Sequence, residues 1–282
     1  MTTGRFPRFA VALLGLAMLA EAFAVALPAF AAGPSARDIA VLLYKTAPGA
    51  HPAMSGRDLR RLDLANLDFK KADLSKANLF GADLSGANLS GTDLRDAMLD
   101  RVTLIGAKLD FANLDHASMM RPSTFTDLRF LRAEAPSFKS ATLRGVNFFG
   151  SFAGSNFSGA DLTDSVCAPI NKTGFIEYIW RTDFSSANLT GANLTRADMT
   201  QSRLSFAVLK NAIMRDVVLQ EADLSGADLS GADLSGADLR GADLTDANVT
   251  GANLDGVMLH DAKGLESLKG LTEAHNSEKI IR

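Results

Sequence analysis

Apolar and polar residues follow a five-residue period along most of the chain. The clearest stretch begins at Ala222-Asp-Leu-Ser-Gly and keeps the same order up to residue 246: a small residue, an acid, a large apolar residue and two more positions, often Ser-Gly. A period of five matches neither the turn of an α-helix, about 3.6 residues, nor the alternation of one long strand.

Each five-residue unit is predicted to be a short strand followed by a corner. The Ala and the Leu are two positions apart, so in extended backbone they face one side and the Asp faces the other. Ser and Gly are turn formers, and Gly tolerates a positive φ. Four units with right-angle corners would close a square coil of twenty residues, with Leu on the axis and Asp in water.

The large apolar position recurs without a slip in two long stretches. It is apolar at thirteen consecutive positions from Leu59 to Met119 and at sixteen from Phe184 to Leu259. We therefore expect Leu229→Asp to destabilise the fold by several kcal/mol. On the same interpretation Asp228, facing water, should tolerate Asp228→Ser with a change below about 0.5 kcal/mol.

The spacing changes between residues 120 and 183. Met119 and Leu128 are nine apart, Phe148 and Phe152 four apart, and Cys167 and Phe184 seventeen apart. We interpret this as one residue lost at two corners and a two-residue bulge or loop that restores the phase. The axis here is predicted to hold a stacked aromatic core and a buried, unreactive cysteine: Phe138, Phe148, Phe152, Phe157 and Cys167.

The repeated unit resembles the motif A(D/N)LXX of the pentapeptide-repeat family over most of the chain. The resemblance implies an all-β fold, a right-handed quadrilateral parallel β-helix, with about nine and a half coils stacked at about 4.8 Å. It says little about function, because one fold hosts unrelated activities. Some family members imitate DNA and occupy the DNA-binding groove of gyrase.

The first residues have the features of a signal peptide. Arg5 and Arg8 precede an uncharged, mostly apolar run from Phe9 to Ala20, and Ala29-Phe-Ala supplies a cleavage signal. Cleavage after Ala31 or Ala32 predicts a periplasmic or secreted protein. The alternative is an uncleaved inner-membrane anchor with the solenoid facing the periplasm, but Glu21 interrupts a run that should reach about 20 apolar residues.

Short capping elements are predicted at both ends of the solenoid. Ser35 and Asp38 have capping-box spacing and begin a helix. The tail, with Leu265 and Leu268, is predicted to be a capping helix or loop. In some relatives a C-terminal element pairs two solenoids, so a homodimer remains open. The predicted divisions are 1–32 (signal peptide), 33–56 (helix and cap), 57–119 and 184–262 (regular solenoid), 120–183 (irregular solenoid with a loop) and 263–282 (C-terminal cap).

The composition and motifs do not indicate an enzyme. The net charge of −3 does not favour nucleic-acid binding, and the single cysteine excludes an intrachain disulfide. The four histidines lack metal-ligand spacing, and no catalytic triad or phosphate-binding loop is suggested. The carboxylates are expected on a convex surface, whereas enzymes use concave sites. We predict no catalytic residues, no cofactor and no metal.

The stretch 169–180 matches the motif least and is the best candidate for a partner contact. One interpretation is a loop that folds its aromatic side chains against the wall. The other is an exposed apolar patch, since aromatic residues are enriched at interfaces. The candidate contact residues are Phe175, Ile176, Tyr178 and Trp180.

Residues 220–259 contain eight acids and one base, Arg240. This surplus would suit a DNA mimic, yet successive Asp residues fall on successive faces, and an exported chain does not meet gyrase. We therefore favour an exported structural or protein-interaction module of the bacterial envelope with an unknown protein partner. The alternative is an acidic DNA mimic that binds a type II topoisomerase such as gyrase.

Overall fold

Very short strands stack in four parallel ladders around one axis. The computed structural model describes residues 33–126, 131–169 and 181–281. All of them belong to one compact unit, Gly33–Arg282. The regular elements are helix α1 (Ala36–Lys45), strands β1 (Ser118–Met120) and β2 (Asn147–Phe149), and a 3-10 helix at Ser277–Lys279.

Most strands are single bridge residues that pair with the residue twenty positions further on. The four ladders define four faces: face 1 from Ala53 to His275, face 2 from Asp58 to Ile281, face 3 from Asp63 to Lys263, and face 4 from Asp68 to Lys269. β1 and β2 lie on face 2, where Met119 pairs with Phe148. We call the turn that leads from face 2 to face 3 corner 2.

The axial residues form one continuous buried column. The large apolar residue and the preceding small residue of the units join a single cluster with almost no exposed surface. In the middle of the column the rings stack, with Phe138 and Phe157 centroids 4.6 Å apart and Phe152 and Phe184 5.6 Å apart. The predicted aromatic core is confirmed. Cys167 is fully buried, and burial raises the pKa of its thiol to about 12.

The corners have a regular hydrogen-bonding pattern that the sequence interpretation missed. In the unit around Leu64, the Leu67 N–H donates to the Leu64 carbonyl at 3.4 Å, and Asn66 is left-handed with φ 59°. The Asp63 carboxylate accepts the Ala65 N–H at 3.2 Å. The acidic position therefore does more than face water, because its side chain closes the turn that follows.

The irregular middle contains two insertions. Lys108 pairs with Ser137 across 29 residues instead of twenty. Thr124, buried, takes the axial position after Met119, so the predicted loss of one residue here is wrong and Leu128 lies outside the described residues. The inserted segment is closed at its base, where the Thr126 hydroxyl donates to Glu134 at 2.6 Å.

The second insertion lies in corner 2. Ser151 pairs with Asp183 across 32 residues, so the step from Cys167 to Phe184 is one corner with twelve added residues. The predicted two-residue bulge is wrong. The predicted loss of one corner residue between Phe148 and Phe152 is confirmed, because the bridge pairs of that coil are 19 residues apart instead of twenty.

The two ends of the solenoid differ. At the first coil, α1 has the predicted capping box between Ser35 and Asp38, and Ile39 and Leu43 are buried in the solenoid cluster. At the other end the tail is mainly a further coil with wider corners. Its bridge residues are six apart instead of five: Lys263, Lys269, His275 and Ile281.

Candidate interaction face

The predicted contact residues Phe175, Ile176, Tyr178 and Trp180 lie outside the described residues. The structure does place the base of their loop. Val166 is on face 2 and Asp183 on face 3, so the insertion interrupts corner 2. The Thr182 hydroxyl donates to the Cys167 carbonyl at 2.7 Å and fixes this base.

Exposed apolar side chains at strand centres are concentrated on face 2. Four strand-centre apolar residues in the described part of the chain are more than two-fifths exposed, and three of them, Met98, Val166 and Ile281, lie on face 2. The fourth, Ile213, lies on face 1. Face 2 is therefore the wall on which apolar contact with a partner is best supported.

Arginines and aromatic rings stack along corner 2 beside this face. Arg101 lies over the ring of Phe80 at 5.7 Å, and Arg121 lies over Phe149 at 5.6 Å. With Arg61 below Gly81 on the adjacent coil, they form what we call the Arg–Phe ridge: Arg61, Phe80, Arg101, Arg121 and Phe149. The signal was present in the sequence as cationic and aromatic residues near positions 60, 80, 100 and 120, one coil apart.

An open groove of about 720 Å³ lies where the ridge meets face 2 near the first coils. Its lining includes Arg60, Arg61, Phe80, Met98 and Leu62. The Arg60 guanidinium donates two hydrogen bonds to the Asp58 carboxylate, of 2.8 and 2.6 Å. Hydrogen bonding from Arg60 holds the pKa of the Asp58 carboxyl below its usual range.

The acidic stretch 220–259 is not a bare ring of carboxylates. Asp223 and Asp243 stack on successive coils, as the twenty-residue period predicts. Cations from the same unit or from other coils approach four of the other acids. The pairs are Lys210 with Asp228 (3.1 Å), Arg215 with Asp233 (2.5 Å), Arg240 with Asp238 (2.6 Å) and Lys279 with Asp255 (3.4 Å).

Comparison with known families identifies the repeat. The pentapeptide repeats model matches in eight copies, over residues 58–96, 82–120, 181–216 and 222–261. The chain belongs to the pentapeptide repeat family. Its fold is the right-handed quadrilateral β-helix of that family. A comparison with curated proteins found no match.

Several solved pentapeptide repeat structures are similar to this chain. HetL of the cyanobacterium Nostoc, involved in heterocyst differentiation regulation, is 29% identical over 73% of this chain and 86% of its own, with a TM-score of 0.28. A protein from the cyanobacterium Cyanothece is 29% identical over 46% and 90%, with a TM-score of 0.38. QnrB1, a plasmid-mediated fluoroquinolone resistance protein, is 20% identical over 79% and 93%, with a TM-score of 0.27.

The described part of this pentapeptide repeat protein offers surfaces for contact and no evident reaction centre. No three His, Cys, Asp or Glu side chains within it come close enough together to hold a metal ion. None of its helices has the length and apolar character that crossing a membrane requires. Its distinctive surfaces are face 2, the Arg–Phe ridge and the groove between them.

Proposed function

We propose that this pentapeptide repeat protein is a non-enzymatic interaction module of the bacterial envelope. The observation that carries the proposal is the concentration of exposed Met98, Val166 and Ile281 on face 2. In regular coils this position is typically Asp or Asn, so apolar residues there leave the turn without its side-chain acceptor. Exposed apolar residues on one wall, of which Met98 lies beside the basic ridge, are typical of a protein contact surface.

The compartment is proposed from the first 32 residues. Arg5, Arg8, the apolar run Phe9–Ala20 and Ala29-Phe-Ala together support export and cleavage. The partner is then a protein of the periplasm or of an envelope surface. The inner-membrane anchored form keeps the same proposal, because face 2 would still be presented to the periplasm.

A site-specific photo-crosslinker tests the interaction module. The crosslinker replaces Met98 on face 2 or, as the matched control, Thr103 on face 3 of the neighbouring unit. In intact cells we expect a discrete adduct from position 98 and none from position 103. Equal labelling from both positions, or none from position 98, would contradict a contact through face 2.

A homodimer through the C-terminal coil is part of the proposal. α1 covers the first coil, but no element in the described part of the chain covers the last one. Leu265, Leu268 and Leu271 there are only partly buried, and an open sheet edge invites pairing. Light scattering of the purified protein should give a dimer mass that Leu268→Glu reduces to a monomer.

The second candidate function is the acidic DNA mimic that binds gyrase. The acidic surplus of residues 220–259 favours it. The cation pairs of Asp228, Asp233 and Asp238 weigh against it, because they remove much of the charge that would imitate phosphates. Export would also separate the chain from gyrase.

A further inference from the structure

The groove and the Arg–Phe ridge beside it contain two arginines that form no ion pair within the described residues, and one of them, Arg61, lines the groove itself. Arg61 and Arg101 have no carboxylate partner among the described residues, although six other arginines do. Asp100, next to Arg101, accepts the Ser118 hydroxyl at 2.6 Å and the Met120 N–H at 2.9 Å through Oδ1 and forms no ion pair with Arg101. Neither guanidinium group is committed to a carboxylate, so both can pair with one that a ligand supplies.

The floor of the same groove is apolar. Phe80 and Met98 line it, and Met98 is 42% exposed. Its volume falls in the range of about 300–1,000 Å³ typical of sites that enclose part of a ligand. A fitting ligand combines negative charge with an apolar group a few ångströms away.

We propose that the groove and the Arg–Phe ridge bind an extended acidic peptide segment of the partner protein. Its carboxylates pair with Arg61 and Arg101, and an apolar side chain lies against Phe80 and Met98. The inference rests on the proposed interaction module and names the chemistry of its partner. Two coils separate the two arginines by about 10 Å, a span that an extended peptide covers in about three residues.

A peptide fits this surface better than a nucleic acid does. Single strands bind proteins by stacking bases on free aromatic faces. The two aromatic rings of the ridge, Phe80 and Phe149, lie three coils apart and Phe149 is buried, so successive bases would find no continuous stack of rings.

Fluorescence anisotropy with the full mature chain tests the proposal. The probe is a short fluorescein-labelled peptide in which pairs of Glu alternate with pairs of Leu, so that each side of the extended chain carries both. The comparison probes have Lys in place of Glu, Ser in place of Leu, or are single-stranded oligothymidine. We expect the Glu-Leu peptide to bind best and the combined variant Arg61→Gln, Arg101→Gln to bind it about tenfold more weakly. Phe80→Ser should weaken the Glu-Leu peptide and leave the Glu-Ser peptide unchanged.

Lys76→Gln is the matched control. Lys76 is an exposed residue of the turn that leads from face 1 to face 2, with the same left-handed backbone as Arg61 (φ 57° for both), and its loss removes one positive charge elsewhere on the rod. Circular dichroism confirms that each variant is folded. Equal weakening by Lys76→Gln, no binding of the Glu-Leu peptide, or tighter binding of oligothymidine would overturn the proposal.

The crosslink from position 98 distinguishes failure of the acidic-peptide site from failure of the proposed contact through face 2. If its adduct persists in the combined arginine variant, the interaction module stands and the acidic-peptide inference fails. If the wild-type chain gives no adduct while the peptide binds through Arg61 and Arg101, the groove chemistry stands and the proposed contact through face 2 fails.

Discussion

At the residue scale, an Asp at a strand centre stabilises the turn that follows it by accepting hydrogen bonds from that turn. Asp228 accepts the Ser230 N–H at 3.1 Å and the Ser230 hydroxyl at 2.6 Å, and Lys210 approaches it at 3.1 Å. The same two-residue arrangement recurs at Asp223 and Asp233. This explains why Asp or Asn, and then Ser or Thr, occupy these positions, and it revises the expectation that Asp228 only faces water.

We therefore predict that Asp228→Ala lowers the free energy of unfolding by about 1–2 kcal/mol, because the Ser230 N–H loses its acceptor. Asp228→Asn retains that acceptor and should lower it by less than about 0.5 kcal/mol. Urea denaturation of the two variants provides the measurement. A loss below that limit in Asp228→Ala would restore the view of a merely solvated carboxylate.

Several corner glycines lie where a Cβ would collide with a side chain of the preceding coil. Corner residues with positive φ, such as Asn66, Asn211 and Asp216, lie where a side chain on the next coil would begin. A Cβ on Gly236 would lie 2.4 Å from the Asp216 carboxylate. The three glycines of the Ser-Gly corners at 225–236 thus leave room for side chains of the coil before, which are Phe206, Asn211 and Asp216.

This rule distinguishes two chemically identical substitutions. Gly251→Ala, at φ 67° with nothing within 4 Å, should lower stability by about 1–2 kcal/mol through backbone strain alone. Gly264→Ala, at φ 73°, would place its Cβ 2.3 Å from the Thr245 backbone nitrogen. We expect it to lose a further 1–3 kcal/mol, approximately, from overpacking. Thermal unfolding measured for both would contradict the rule if the two losses were equal.

Asp238 predicts a pH dependence of stability. Hydrogen bonds from Arg240 and Gln220 outweigh its burial and lower the pKa of its carboxyl from 3.8 to about 2. A lowered folded-state pKa stabilises the fold above about pH 4, and this contribution is lost as the pH falls through about 2. Asp238→Asn should therefore lower stability by about 1–2 kcal/mol at pH 6 and by much less at pH 2.

The partner variant tests the cause. Arg240→Gln removes the strongest hydrogen bond to Asp238, so it should flatten the pH dependence of stability between pH 2 and 4. A difference between wild type and Asp238→Asn that stays constant over this range would contradict the assignment.

At the element scale, Pro169 explains where the large insertion begins. In regular corners the second residue after the axial one has a positive φ, as Gly154 and Gly159 do. Pro169 occupies that position after Cys167, and its ring fixes φ near −65°. A regular corner cannot close at Pro169, and the next bridge residue on the rod is Asp183, after the insertion.

This account predicts the outcome of excising the insertion. Deletion of residues 170–181 together with Pro169→Gly should restore a five-residue corner and keep the β spectrum, because Ser151 and Asp183 already pair across the gap. The same deletion with Pro169 retained should be less stable by about 3 kcal/mol. Equal stability of the two chains would show that proline does not set the start of the insertion.

The regular coils and α1 could be predicted from sequence because each depends on neighbours within a few residues. Ser35 and Asp38 satisfy a local capping rule, and the five-residue period fixes which residues reach the axis. The nine-residue insertion could not be located, because Leu128 offers an apolar residue close to the expected phase while the true axial residue, Thr124, is polar. The last coil was missed because its corners are one residue longer.

The Arg–Phe ridge could not be predicted from the sequence, because its residues become neighbours only when the coils stack. Arg61, Phe80 and Arg101 are about twenty residues apart, and nothing local marks them as neighbours. The loop residues Phe175, Ile176, Tyr178 and Trp180 were selected by composition alone, and their role as a contact stays a prediction.

At the scale of the whole molecule, compartment decides between the envelope module and the DNA mimic. The acidic surface of residues 220–259 can bind gyrase in the cell only if the chain stays in the cytoplasm. The first 32 residues argue that it does not, because a basic start, an apolar run and Ala29-Phe-Ala occur in the order that export requires.

We therefore predict that the native protein begins at Ala32 or Gly33 and is recovered from the periplasm. Mass spectrometry of the native N-terminus measures this directly, and Ala29→Lys with Ala31→Lys, which removes the small residues of the cleavage signal, should leave the precursor uncut. Purified mature protein should leave gyrase supercoiling unaffected at micromolar concentration. An uncut chain from the cytosol that inhibits supercoiling would overturn export and favour the mimic. An uncut chain in the inner membrane would instead make the segment an anchor, with the solenoid in the periplasm and face 2 still available to an envelope partner.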